Sequence, residues 1–138
     1  MDVKVLLGCF SLFVASAAYA DSCPQGTSYT VDARQNCLGA PWGKSNGTPA
    51  KFFVSPGKYL VYLGANNMSC MNNDLSNGCN IDTVLIHGGM MTARWGRSIS
   101  GPTQIEVSDS SGSFVAYVTD DNCGDNTGSA KLIFQKLN

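Results

Sequence analysis

Residues 119–129 hold the densest group of hard oxygen donors in the chain: Asp120, Asp121, Asn122, Asp125 and Asn126, with Gly124 and Gly128 among them. Carboxylate and amide oxygens crowded into one short loop can wrap a hard cation such as calcium, which takes six to eight oxygen ligands. The glycines let the backbone curl tightly enough to bring such groups round one point. Asp, Asn and Gly are also the commonest turn formers, so the loop on its own fits a plain polar turn as well. The two readings are separated by where the flanking segments carry the loop.

Other chemistries are poorly supplied. His87 is the only histidine, and in Leu85-Ile86-His87-Gly88-Gly89 it closes a predicted buried strand, where a structural role is expected. There is no Gly-x-Ser-x-Gly elbow and no Cys–His couple, so nucleophilic catalysis lacks its parts. Asp120 and Asp121 are adjacent in one loop, where cation binding or solvation explains them better than a glycosidase pair. Gly88-Gly89 lacks the surrounding spacing of a phosphate loop. With one histidine and no Cys-x-x-Cys, zinc is not indicated. The residues describe a binding protein, not an enzyme.

The flanks of the loop read as strands. Phe114, Ala116 and Val118 alternate on the way in, and Ala130, Leu132 and Phe134 mirror them on the way out. A hairpin closed by Val118 and Ser129 would set both acidic ends of the loop at one mouth. Upstream, residues 28–33 form a short first strand. Residues 37–49 are loop-like around Trp42, whose expected place is the core. Residues 50–54 and 59–63 are apolar runs about Ser55-Pro56-Gly57-Lys58, which predicts a hairpin. Residues 64–80 show no hydrophobic period; a loop that long is usually functional or tied down, and Cys70 and Cys79 suggest a tie. Residues 82–87 read as a central strand, continuing with a kink over 88–95, and a turn comes next at 98–102. Residues 103–107 put Ile105 and Val107 inward against Gln104 and Glu106 outward, and residues 109–112 read as a hairpin turn. Glu106 is the sole glutamate, and the wealth of Gly, Ser, Thr and Asn disfavours helix. Short strands with turns about every 8–12 residues predict an all-β sandwich, jelly-roll or Greek-key in topology, which avoids long exposed edges.

Residues 1–20 read as a signal peptide. Lys4 precedes an apolar stretch, and Ala18-Tyr19-Ala20 gives the small–x–small cleavage pattern before Asp21. A lipoprotein anchored through Cys9 fits less well, because most of the apolar run comes after that cysteine. Residues 21–138 then form a single secreted or periplasmic domain, with no segment able to span a bilayer. The net charge of −1 supplies no basic field for nucleic acid or anionic lipid. Asn46-Gly-Thr and Asn67-Met-Ser are glycosylation sequons, meaningful in a eukaryotic secretory pathway. Past Cys9 the cysteines are Cys23, Cys37, Cys70, Cys79 and Cys123, so an exported chain would form two disulfides with one cysteine over. The expected set is Cys23–Cys37, with Cys70 joined to Cys79 or to Cys123.

The block from Gly112 through Phe114, Tyr117, Thr119, Asp120 and Asp121, then Asp125-Asn126-Thr127-Gly128-Ser129, then Leu132-Ile133-Phe134, resembles the closing motifs of the calcium-dependent galactophilic lectins of Pseudomonas type and their jelly-roll relatives. Val31-Asp32-Ala33, Pro41-Trp42 and Phe53-Val54-Ser55-Pro56-Gly57-Lys58-Tyr59 resemble that family's opening strands more weakly. The resemblance implies calcium at one end of the sandwich, its shell completed by vicinal sugar hydroxyls. By position, Asp120 or Asp121 would supply the first carboxylate, Asn122 a main-chain carbonyl, and Asp125 and Asn126 paired side-chain ligands. Asp121, Asp125 and Asn66 would then face the sugar, with a further carbonyl from residues 65–67. The loop here is shorter than the family's and holds Cys123, which could tie it to Cys70 or Cys79. The family's His and Gln sugar contacts have no match in residues 71–80.

A secreted, calcium-dependent, lectin-like carbohydrate-binding protein is the function these residues predict, with galactosides as the implied sugars. Its modest single-site affinity would be offset by assembly into a homo-oligomer. The first alternative is a secreted inhibitor or effector that binds protein through residues 64–80, with a structural calcium or none; the second is an enzyme of unrecognised type.

Overall fold

The computed structural model describes residues 26–39, 47–71, 79–89, 95–108 and 112–138. The predicted signal peptide, Cys23, Asn46 and Trp42 lie outside the described residues. Among the described residues nine strands run in chain order: β1 Gly26–Asp32, β2 Cys37–Gly39, β3 Ala50–Phe53, β4 Gly57–Gly64, β5 Val84–Gly88, β6 Trp95–Ile99, β7 Thr103–Val107, β8 Ser113–Asp120 and β9 Ser129–Lys136. The one helical element among them is a 3-10 turn, Cys123–Asp125. No described helix is long and apolar enough to cross a membrane.

Two sheets face each other. The first runs β1-β9-β4-β7 and the second β2-β8-β5-β6. All pairs are antiparallel except β2 with β8. β3 and β2 share one edge of β8, β3 beside residues 113–116 and β2 beside 118–120. The alternation read from the sequence is the alternation found: Phe114, Ala116, Val118, Ala130, Leu132, Phe134, Ile105 and Val107 are all buried. This is the predicted disulfide-bonded all-β sandwich.

Its connections differ from the predicted hairpins. β3 and β4 lie in opposite sheets, as do β7 and β8, and β8 and β9. The turns at residues 54–56 and 121–128 therefore arch over the sandwich. The physical reason is that an apolar strand shows the same alternation whether its successor pairs beside it or faces it across the core. The chain switches sheets at most of its turns, as a jelly roll does. β5 and β6 pair antiparallel, and β6 takes in Ser98 and Ile99 from the predicted turn; residues 90–94, most of the predicted kinked extension of β5, lie outside the described residues.

The core centres on Phe134, whose ring meets Tyr29, Phe52, Tyr59 and Phe114 at centroid distances of 5.9, 5.6, 6.0 and 6.1 Å. The first three contacts are edge-on and the last is tilted, arrangements that ring quadrupoles favour. Trp95 packs edge-on to Phe114 at 5.2 Å from the β6 side.

Two disulfides are present among the described residues, and one pairing corrects the sequence reading. Cys70 joins Cys79, but Cys37 joins Cys123 and not Cys23. β2 lies parallel against the end of β8, with Cys37 opposite Val118, so the cysteine just beyond the end of β8 is the one within reach. Cys123 is accordingly tied to β2, and not to the long loop. By loop-closure entropy the bridge across 86 residues is worth roughly 4–5 kcal/mol and the one across nine roughly 2–3. Two disulfides in a small β-sandwich fit an oxidising compartment.

Candidate functional site

β8 delivers Asp120 at its last position, and the chain then rises into an arch held from three sides. Asn122 opens the 3-10 turn: its Oδ1 accepts the Gly124 N–H at 3.3 Å, and its carbonyl accepts the Asp125 N–H at 3.4 Å. Cys123, buried, bonds the arch to β2. Thr127 exchanges two 2.9 Å backbone hydrogen bonds with Ser69, in the loop after β4.

That loop is clamped against the arch. The Asn67 N–H donates to the Ser129 carbonyl at 3.1 Å, and Asn67 Oδ1 accepts the Ser129 N–H at 2.8 Å. Gly128, at φ +81°, allows the approach: a Cβ there would lie 2.2 Å from the Asn67 carbonyl oxygen. Asn66 works within its own loop, accepting the Met68 N–H at 3.0 Å and donating to the Ile81 carbonyl at 2.8 Å. Residues 65–67 thus adjoin the arch, while the Asn66 side chain is engaged at both its polar ends.

Within this frame three side-chain oxygens are buried with no hydrogen-bond partner among the described residues: Asp120 Oδ2, Asp125 Oδ1 and Asn126 Oδ1. All belong to the oxygen-rich loop. Asn126 is 1 % exposed, and its amide orientation is set by Nδ2, which donates to the Ala33 carbonyl at 3.0 Å and lies 3.5 Å from Cys37 Sγ. Its oxygen therefore turns away from the partners that hold its amide nitrogen. A buried polar atom left unpaired costs about 1–3 kcal/mol, and native proteins rarely tolerate several together.

The two aspartates that competed for one role are now distinct. Asp121 is exposed, and its backbone N–H donates to Asp120 Oδ1 at 2.7 Å. Asp120 keeps a buried oxygen, and its pKa is raised, first by desolvation and then by sharing a hydrogen bond with the Asp121 carboxyl. The environment disfavours the bare charge, which a cation beside it would reverse. Among the described residues no three His, Cys, Asp or Glu side chains gather as a metal cluster. A cation here would rely on Asn126 and on main-chain or external oxygens beyond the two carboxylates.

Beside Asp120 opens a cleft of about 380 Å³ between the Cys70–Cys79 bridge and the end of β8. Asn80, Asp82, Thr83 and Thr119 supply its polar wall, Ile81 and Leu85 its apolar one. The Thr83 hydroxyl donates to Asp82 Oδ1 at 2.8 Å. Asn80, Asp82 and Thr83 were not singled out in the sequence. The available signal was their place between Cys79 and a buried strand, which fixes them at the same end of the sandwich as Asp120.

Fold and site together define a disulfide-bonded β-sandwich with an oxygen-lined arch and an adjoining polar cleft at one end. Compared with protein-family models, curated proteins and solved structures, the chain matches none. The likeness to galactophilic lectins therefore rests on the motif residues themselves.

Proposed function

We propose that this is a secreted carbohydrate-binding protein that holds calcium in its closing arch and a sugar in the cleft beside Asp120. The observation carrying the proposal is the set of three buried, unpartnered oxygens on Asp120, Asp125 and Asn126. Hard, anionic or amide oxygens in a desolvated loop suit calcium by charge and by ligand type. Calcium would supply a coordination site for vicinal hydroxyls. The chain's own residues then do the rest. Asp82, Asn80 and Thr119 offer acceptors and donors for a polyol, and Ile81 and Leu85 a surface for its C–H face.

The test is binding of the protein to immobilised galactosides. The expected outcome is retention in calcium, release by chelator and recovery on adding calcium back. Retention indifferent to chelator, or none on any immobilised glycan while calcium is bound, would remove the lectin reading.

A further inference from the structure

One tripeptide after β4 is divided between solvent and core. Asn67-Met68-Ser69 has the acceptor sequence for N-linked glycosylation. Asn67 is exposed, whereas Met68 and Ser69 are each 1 % exposed. The asparagine therefore faces solvent while its two followers are anchored below it. A bulky, solvated substituent is tolerated on a folded protein at such a surface position.

The hydrogen bonds of Asn67 leave the reacting atom free. Its backbone N–H donates to the Ser129 carbonyl at 3.1 Å, and its Oδ1 accepts the Ser129 N–H at 2.8 Å. Its Nδ2 donates to no partner among the described residues. A sugar joined to Nδ2 leaves the amide oxygen an acceptor, so the clamp on the arch survives the modification. Two neighbouring asparagines are used the opposite way. Asn66 donates through Nδ2 to the Ile81 carbonyl at 2.8 Å, and the buried Asn126 through Nδ2 to the Ala33 carbonyl at 3.0 Å. A substituent on either nitrogen would crowd or displace that bond. Neither of them stands in an Asn-x-Ser/Thr sequence. Acceptor sequence and hydrogen bonding single out Asn67 by separate routes.

We infer that Asn67 carries an N-linked glycan when the chain is exported through a eukaryotic secretory pathway. The inference goes beyond the carbohydrate-binding reading and shares only export with it; it needs neither calcium nor a bound sugar. The donor is a lipid-linked oligosaccharyl diphosphate. Its sugar C1–O bond to the diphosphate breaks and a C1–Nδ2 bond forms. The amide gives up one of its two protons, and the lipid diphosphate leaves. Transfer takes place on the extended chain, before folding buries the Ser69 hydroxyl. In the folded protein the glycan stands beside the arch, on the loop that Ser69 and Asn67 clamp to Thr127 and Ser129.

The experiment is secretion of the full chain from a eukaryotic cell line, with peptide mapping before and after treatment with peptide-N-glycosidase. The expected result is a glycan on Asn67 in most molecules, the released site being read as aspartate. Ser69→Ala should abolish that glycan and melt as the enzymatically deglycosylated wild type does, because Ser69 Oγ accepts only a long bond, 3.3 Å, from the Met71 N–H. Asn67→Gln should abolish it too, but melt at a lower temperature, since the longer side chain displaces the oxygen that holds Ser129. An unmodified Asn67 in the secreted protein, whatever Asn46 carries, overturns the inference. Equal melting temperatures for the two variants overturn the division of the amide between clamp and sugar. Calcium-dependent retention on galactosides is read separately, so either reading can fail without the other.

Discussion

The two ends of β8 are built from the same alternating strand and could hardly be treated more differently. At its start Phe114 lies against Phe52, Trp95 and Phe134, in a part of the core where aromatic faces and edges all find partners. At its finish Asp120 leads into an arch where three oxygens are buried and unpaired, although two disulfide-tethered segments hold the backbone firmly around them. The aromatic end is satisfied as it stands. The oxygen end is tied down by backbone and disulfide contacts, yet three of its oxygens have no hydrogen-bond partner among the described residues.

That contrast can be broken at several points, the largest effect first. Phe134→Ala empties the middle of the core and should lower unfolding free energy by about 3–5 kcal/mol in a urea titration. The stabilisation gained on adding calcium should stay as in wild type. Removing the Cys37–Cys123 bridge as a double serine variant should cost roughly 4–5 kcal/mol, against roughly 2–3 for the Cys70–Cys79 pair. The former should also weaken calcium binding the more, since it anchors Cys123 directly and touches Asn126, whereas the latter acts on the arch only through the Ser69 and Asn67 contacts. Equal losses of calcium binding from the two double variants would show that the arch is not held as described.

A reciprocal effect is expected within the arch. Asp125→Asn removes one of the crowded carboxylates, so in chelator it should be neutral or stabilising by up to about 1 kcal/mol. In calcium it should forfeit most of the metal-dependent gain, which for a bound wild type would be about 2.7 kcal/mol at a hundredfold excess over Kd. Thermal melts with and without calcium read both.

The smallest effect concerns pH. Asp120 has a raised pKa in the folded protein, so between its ordinary and raised values the folded state binds more protons than the unfolded. Stability contributed by this group therefore falls as pH rises through that window. In chelator, melting temperature should rise slightly on acidification from neutral towards the ordinary carboxylate range. Asp120→Asn should abolish that rise, and calcium should suppress it by favouring the ionised form.

Much of the fold was legible because strand alternation reports directly on burial: Ile105, Val107, Phe114, Ala116, Val118, Leu132 and Phe134 all face inward as their spacing requires. The pairing partner of each run was not legible. The arch at residues 121–128 has hairpin composition, yet its partners are Ser69, Asn67 and Cys37, each more than fifty residues away in sequence. Of the expected disulfides Cys70–Cys79 holds, and the Cys23–Cys37 pairing was missed for the same reason: spacing favoured the near neighbour Cys23, whereas β2 and β8 meet through tertiary pairing. In the candidate site the donor types were visible, but the distinction between Asp120 and Asp121 depends on which carboxylate the fold desolvates. Asn80, Asp82 and Thr83 entered only once the Cys70–Cys79 bridge set them beside Asp120.

Whether the arch holds calcium is tested most directly by a calorimetric titration of calcium into the chelator-stripped protein, alongside Asp120→Asn and Asp125→Asn. One calcium per wild-type chain is expected, with at least about tenfold weaker binding in each variant, equivalent to about 1.4 kcal/mol or more. No calcium uptake by wild type, or uptake indifferent to both substitutions, would contradict a metal site built from these oxygens.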